Sequence, residues 1–183
     1  RLIQRPFDNN NYDDYYREIY EENREEKLDS LKKLRPPYLT RKGRTVYGGG
    51  GITPDIYLPW NLEITETTRK IMSNPKRLMF NWSTKYINKN NIFGSYRDFQ
   101  SEWEISDGIY DQFSTYLAEE EKGINIEDIN KDKEYIKTML KSELAGQRWG
   151  RDELWGVRIM GDSQILGALK HFNEADAFLV QSN

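Results

Sequence analysis

Apolar positions follow two different periods along this chain. The first residues, Arg1 to Gln4, have the extended character of a strand that Pro6 stops, and the polar run Phe7 to Asn11 predicts a loop. Tyr12, Tyr15, Tyr16, Ile19 and Tyr20 recur at helical spacing, with Asn11 placed as a cap. The pattern then dissolves into Glu21 to Lys27, EENREEK, a solvated surface excursion. Leu28, Leu31 and Leu34 predict one more amphipathic turn, which Pro36-Pro37 ends.

From Tyr38 to Pro59 the pattern changes to strand formers around a glycine run. Val46 and Tyr47 precede Gly48 to Gly51, and Ile52, Ile56 and Tyr57 follow. Residues without Cβ accept backbone angles that others resist, so the spacing predicts a β-turn-β element with a rigid exit at Pro54. After Trp60 the period becomes helical. Asn74-Pro75 predicts a helix start, with Leu78, Met79, Trp82 and Tyr86 on its buried stripe. Ser95 with Asp98 resembles a capping box, ahead of a stripe of Phe93, Tyr96, Phe99 and Trp103. Ser106 or Asp107 opens the next helix, with Tyr110, Phe113 and Leu117 on one face and Gly123 closing it. Asn130 to about Gln147 is the clearest long helix, striped by Ile136, Met139, Leu140 and Leu144. A last helix capped by Asp162 carries Ile165, Ala168, Leu169, Phe172, Ala175 and Leu179, and each of these stripes is expected to be core. RWGRDELWG, residues 148–156, reads as a helix-helix turn anchored by tryptophans.

Composition adjusts this picture. Apolar residues make up 37% of the 183, below the usual range of about 45–50%, but 12 Tyr and 5 Trp supply large buried areas, so part of the chain supports a core. The net charge of −3 is too balanced for a nucleic-acid binder or a polybasic membrane anchor. No cysteine is present, which removes thiolate metal sites, disulfides and Cys nucleophiles. No apolar run approaches the ~18 residues of a membrane span. Arg1 begins in mid-strand without a Met, which reads as part of a longer polypeptide.

Candidate chemistry is sparse. His171 is the single histidine and sits one residue off the last apolar stripe, where a boundary or surface role is expected rather than metal binding. Glu119 to Glu121 reads as a solvated helix end. The glycine run could cradle a phosphate, but Gly51 leads into Ile-Thr-Pro instead of the Gly-Lys-Ser/Thr of a P-loop, and no G-x-G-x-x-G precedes a helix. No nucleophile elbow is present. No cofactor, metal or catalytic residue is assigned.

The stretch Gly43 to Ile56, GRTVYGGGGITPDI, resembles the tail-specific, or C-terminal processing, serine peptidases. The matching residues are Gly43-Arg44, Tyr47 to Ile52 and Pro54-Asp55, preceded by Tyr38, Thr40 and Arg41. Arg1 to Pro6 is similar to the family segment that follows a Thr-Pro-Ser-Gly turn, and Tyr12 to Tyr20 to the insertion after it. The resemblance covers about the first 60 residues, and residues 61–183 share only general helical character with the family. It implies endoproteolysis near protein C-termini by a Ser-Lys dyad, in which a neutral lysine serves as base. It places both dyad residues, and a PDZ module, upstream of Arg1. Lys42 and Ser30 match no motif position and take no role.

The resulting expectation is an α+β chain: residues 1–60 supply short strands and a glycine-rich β-turn-β element that complete a protease core sheet, with a Tyr/Glu-rich insertion, and 61–183 form a mainly helical C-terminal domain. The chain would be inactive alone, working with the upstream catalytic and PDZ portions on protein or peptide substrates. The resemblance also implies a periplasmic or otherwise extracytoplasmic location. The alternative is a self-contained helical protein-interaction module without enzymatic activity, its β section a docking hairpin and its surplus Tyr and Trp facing a partner.

Overall fold

The computed structural model describes residues 34–41, 43–49, 54, 56–59, 62–90 and 94–180, the last three as backbone. The strand expected at Arg1–Gln4, the Tyr12–Tyr20 helix, the acidic stretch, Gly50 to Thr53 and Phe93 lie outside the described residues. The chain is α+β; among the described residues one small antiparallel sheet is followed by a run of helices.

Strands β1 (Pro37–Leu39) and β2 (Thr45–Tyr47) pair antiparallel, with Tyr38 opposite Val46. Their connection is held by the Thr40 N–H donating to the Arg44 carbonyl at 2.9 Å, while the Arg44 N–H donates to Thr40 Oγ1 at 3.1 Å. Gly43 takes a φ of 79°, the left-handed conformation that this tight return requires and that a residue with a Cβ resists. The expected β-turn-β element is therefore displaced. The turn of the described hairpin falls at Thr40–Arg44, and Gly48 and Gly49 follow its second strand. Residues 56–59 are not strand. Consecutive glycines offer no side chains to pack on a pleated surface, whereas Thr40 and Gly43 supply a hydroxyl cap and a left-handed residue at the right separation.

Among the described residues the helices are α1 (Glu66–Met72), α2 (Leu78–Lys89), α3 (Tyr96–Ser101), α4 (Asp107–Glu120), α5 (Ile126–Lys131), α6 (Lys133–Arg148), α7 (Arg151–Arg158), α8 (Ser163–Leu169) and α9 (Phe172–Val180), with a 3-10 turn at Ile159–Gly161. The described residues divide into two units. Residues 60–169 hold α1 to α8, and the hairpin and α9 belong to the other.

Within the 60–169 unit the starts are chemically explicit. Thr65, Ser95, Ser106 and Asn125 each accept a backbone N–H of the following turn on a side-chain oxygen. The Asp162 carboxylate accepts from the Gln164 and Ile165 N–H groups at 2.9 and 3.0 Å. Asp98 proves too short to close a full capping box. Its carboxylate accepts from the Ser95 hydroxyl at 2.8 Å, not from the Ser95 N–H. Asn74-Pro75 opens a turn, not the helix: the Asn74 carbonyl accepts from the Arg77 N–H and its Oδ1 from the Lys76 N–H, and α2 begins at Leu78.

Helix α6 is the centre of this unit. Ile136, Leu140 and Leu144 are fully buried along it and share one core cluster with Leu78 and Trp82 of α2, Phe113 and Leu117 of α4, and Val157 of α7. Trp82 meets Phe113 edge-on at 5.4 Å, and Phe99 lies between Trp103 at 4.8 Å and Trp149 at 4.9 Å. Such ring pairs contribute about 1 kcal/mol each beyond their buried area. The long helix expected from Asn130 to about Gln147 is α6, which begins three residues later at Lys133, because Asp132 ends the short helix α5 and precedes α6.

The last stripe departs most from expectation. The helix breaks after Leu169, and Ile165, Leu166 and Leu169 of α8 and Phe172 of α9 are exposed. Of the two expected anchors around residues 148–156, Trp149 packs on the core and Trp155 is 48% exposed.

Candidate functional site

The residues that carry the sequence motif sit on the hairpin. Gly43-Arg44 form its return, and Tyr47 ends β2 half-buried. Gly48 is buried, its N–H donating to the Pro36 carbonyl at 3.1 Å, which closes the ladder one step beyond β1. Leu39 is 74% exposed and Tyr38 is exposed as well. Two short strands with so much uncovered surface are marginal by themselves, and no third strand joins them among the described residues.

No catalytic constellation forms among the described side chains. His171 is a partly exposed surface residue whose Nδ1 lies 3.0 Å from the Glu174 carboxylate. No group of three metal-capable side chains occurs among the described residues. Lys141 is the buried lysine, but its ammonium donates to the Gln100 carbonyl at 3.0 Å and to Glu104 at 3.2 Å. The neighbouring buried Ser142 hydroxyl donates to the Met139 carbonyl at 2.7 Å and accepts from Arg158 Nε at 3.2 Å. Neither is placed to work on the other. Glu120 and Glu121 are more than a solvated end, since they pair with Lys85 and Lys76 at 3.1 and 3.0 Å.

Two electrostatic devices set the geometry of the helical unit. The Asp132 carboxylate accepts from the Thr65 N–H at 2.8 Å and the Thr65 hydroxyl at 2.7 Å, tying the start of α1 to the start of α6. Burial pushes this carboxyl up, but hydrogen bonds from Thr68 and Thr65 outweigh it and hold it below the usual range. On the surface, hydrogen bonds from Lys137 and Lys133 lower the Asp107 carboxyl to about 2.

One open groove is predominantly apolar. Leu62, Met72, Tyr135, Trp155, Ile159 and Ile165 line a cavity of about 670 Å³, with Arg158 and Asp162 at its polar margin. Its outer wall is continuous in sequence with Met160, Leu166 and Leu169, each about half exposed.

Residues 69–150 match the model of a family of unknown function (DUF8443). The matched stretch begins inside α1 and stops at the turn before α7, so it takes in α2 to α6, which carry most of the core, and leaves out the hairpin. No curated protein and no solved structure matches the chain.

Residues 61–73 were expected to be helical only in general character, with no helix named there, and neither α1 nor the Thr65–Asp132 clamp was read from the sequence. The readable signal was Thr65 followed by Glu66 and Thr68 ahead of Ile71, a hydroxyl cap before an apolar position. The acceptor, Asp132, lies 67 residues away and leaves no trace in local spacing.

Proposed function

We propose that this chain is the C-terminal region of a Ser-Lys serine endopeptidase that cleaves proteins near their C-termini, with its own residues in a structural role. The observation that carries this reading is the block Gly43-Arg44, Tyr47 to Ile52 and Pro54-Asp55. The hairpin supports it physically: a two-stranded ladder with Tyr38 and Leu39 exposed gains most of its stability by joining a larger sheet. The lack of a nucleophile–base pair among the described residues is compatible with a dyad supplied by upstream sequence. There the lysine would take the serine proton and backbone N–H groups would hold the oxyanion. On this reading the polypeptide acts in an extracytoplasmic compartment on protein or peptide substrates.

The coding sequence ahead of Arg1 tests the proposal. The expected content is a serine at a strand-to-helix turn, a lysine downstream of it, and a PDZ-like segment before both. Upstream sequence with no such serine and lysine overturns it.

The second reading is a helical protein-interaction module, favoured by the exposed apolar wall of Trp155, Ile159 and Met160 running into α8. It predicts that no polypeptide containing this chain has peptidase turnover.

A further inference from the structure

A second groove lies between α2, α6 and α7 and has a different character. Arg77 at the N-cap of α2 and Phe80 and Thr84 within it line one side, Glu143 and Gln147 come from α6, and Arg151 and Leu154 from α7, around a cavity of about 540 Å³. Its polar floor is already satisfied. The Thr84 hydroxyl lies 2.8 Å from Gln147 Oε1, and Gln147 Nε2 donates to the Phe80 carbonyl at 2.9 Å. Glu143, the one carboxylate in the lining, is neutralised by Arg158 at 3.0 Å. Asp152 and Glu153 follow Arg151 in the first turn of α7, but neither lines the groove.

The two guanidinium groups are different. Among the described residues neither Arg77 nor Arg151 has a carboxylate within salt-bridge distance, and both are exposed at the mouth of this one cavity. Arg77 is also held in place twice. Its guanidinium lies 3.9 Å from the centre of the Phe80 ring, and its backbone takes a φ of 51°, the only non-glycine left-handed residue among those described. A long side chain stacked on an aromatic face has already given up much of its rotational freedom, so less is lost when it binds. The left-handed backbone costs of order 1 kcal/mol and persists where the surroundings over-determine it. Helices α2 and α7 both start here without a side-chain cap; the dipole of α2 adds to the positive potential, and that of α7 is offset by Asp152 and Glu153 in its first turn.

We propose that this groove binds an oxyanion, a carboxylate or a phosphate, with the Phe80 ring and the Leu154 side chain receiving a small apolar body attached to it. Guanidinium is the side chain whose fork of donors matches the paired oxygens of either group. The proposal does not depend on the peptidase reading.

The test is a titration of the 183-residue chain followed by amide NMR at constant ionic strength, with three probes: inorganic phosphate, phenylacetate and the neutral phenylacetamide. Saturable shifts at Arg77, Gly150 and Arg151 are expected with an oxyanion and not with phenylacetamide. Phosphate alone would assign a phosphate-bearing ligand, phenylacetate alone a carboxylate, and either result supports the site. Arg77→Gly removes the charge while favouring the left-handed backbone, so it keeps the fold. It and Arg151→Gln should each weaken binding about tenfold, as the loss of a charge-assisted hydrogen bond predicts. Arg69→Gln, outside the groove, should leave binding unchanged. No shift with either anion, equal shifts with phenylacetamide, or full binding in both groove variants overturns the proposal.

Discussion

Helices α2 to α6 and the segment from α7 to α8 carry apolar residues at the same helical spacing, yet they meet opposite fates. In the first set Leu78, Phe113, Leu117, Leu140 and Leu144 are fully buried. In the second, Val157 alone is buried, while Trp155, Ile159, Met160, Leu166 and Leu169 stand in the open. Periodicity reports which residues share a face. It does not report whether anything covers that face, since the covering elements come from elsewhere in the chain or from outside it.

The sharpest test of this contrast is a pair of leucines. Leu140→Ala removes a side chain from the centre of α6 and should cost about 3–4 kcal/mol, lowering the melting temperature by at least ~10 °C. Removing the Asp132 carboxylate as Asp132→Ala should cost about 2–3 kcal/mol by denaturant titration, because the Thr65 N–H loses its buried acceptor. Gly156→Ala should cost about 2 kcal/mol. An added Cβ there runs into the Tyr96 hydroxyl, which donates to the Glu153 carbonyl at 3.1 Å and docks α3 on α7. That would show α7 to be firmly docked despite its exposed outer face. At the small end, Leu166→Ala should change stability by no more than about 0.5 kcal/mol. A large loss at Leu166 would mean that this face is covered, and the contrast would fail.

Asp107 gives a pH readout with a definite sign. Its carboxyl is lowered from the ordinary 3.8 to about 2, so the stability it lends is fully present above pH 4 and is lost as pH falls through about 2. In acid denaturation followed by circular dichroism, Asp107→Asn should therefore lose less stability than the parent chain between pH 4 and pH 2. An identical acid profile would remove Lys133 and Lys137 as its partners.

Much of the helical unit was legible from side-chain chemistry close in sequence. Ser95, Ser106 and Asp162 cap the helices that their spacing announced, and the stripes around Trp82, Phe113 and Leu140 point inward. What was not legible depended on distance or on competition between signals. The break at Asp132 falls on a residue that favours helix ends over helix interiors, and its carboxylate binds Thr65, a partner far away in the chain. The hairpin return went to Thr40–Arg44 because a hydroxyl cap and one left-handed glycine define a turn better than four glycines in a row. The Arg77–Arg151 groove had no linear signature, since its two guanidinium groups come from helices far apart in the chain.

The central proposal is that the chemistry of this polypeptide lies outside these residues. The direct measurement is cleavage of a peptide with an apolar C-terminus by the polypeptide extended through its upstream coding sequence, compared with residues 1–183 alone. Turnover by the extended polypeptide, abolished by a serine-directed reagent, with none from the 183 residues, is the predicted result. Turnover by the 183 residues alone, or none from either, would contradict it.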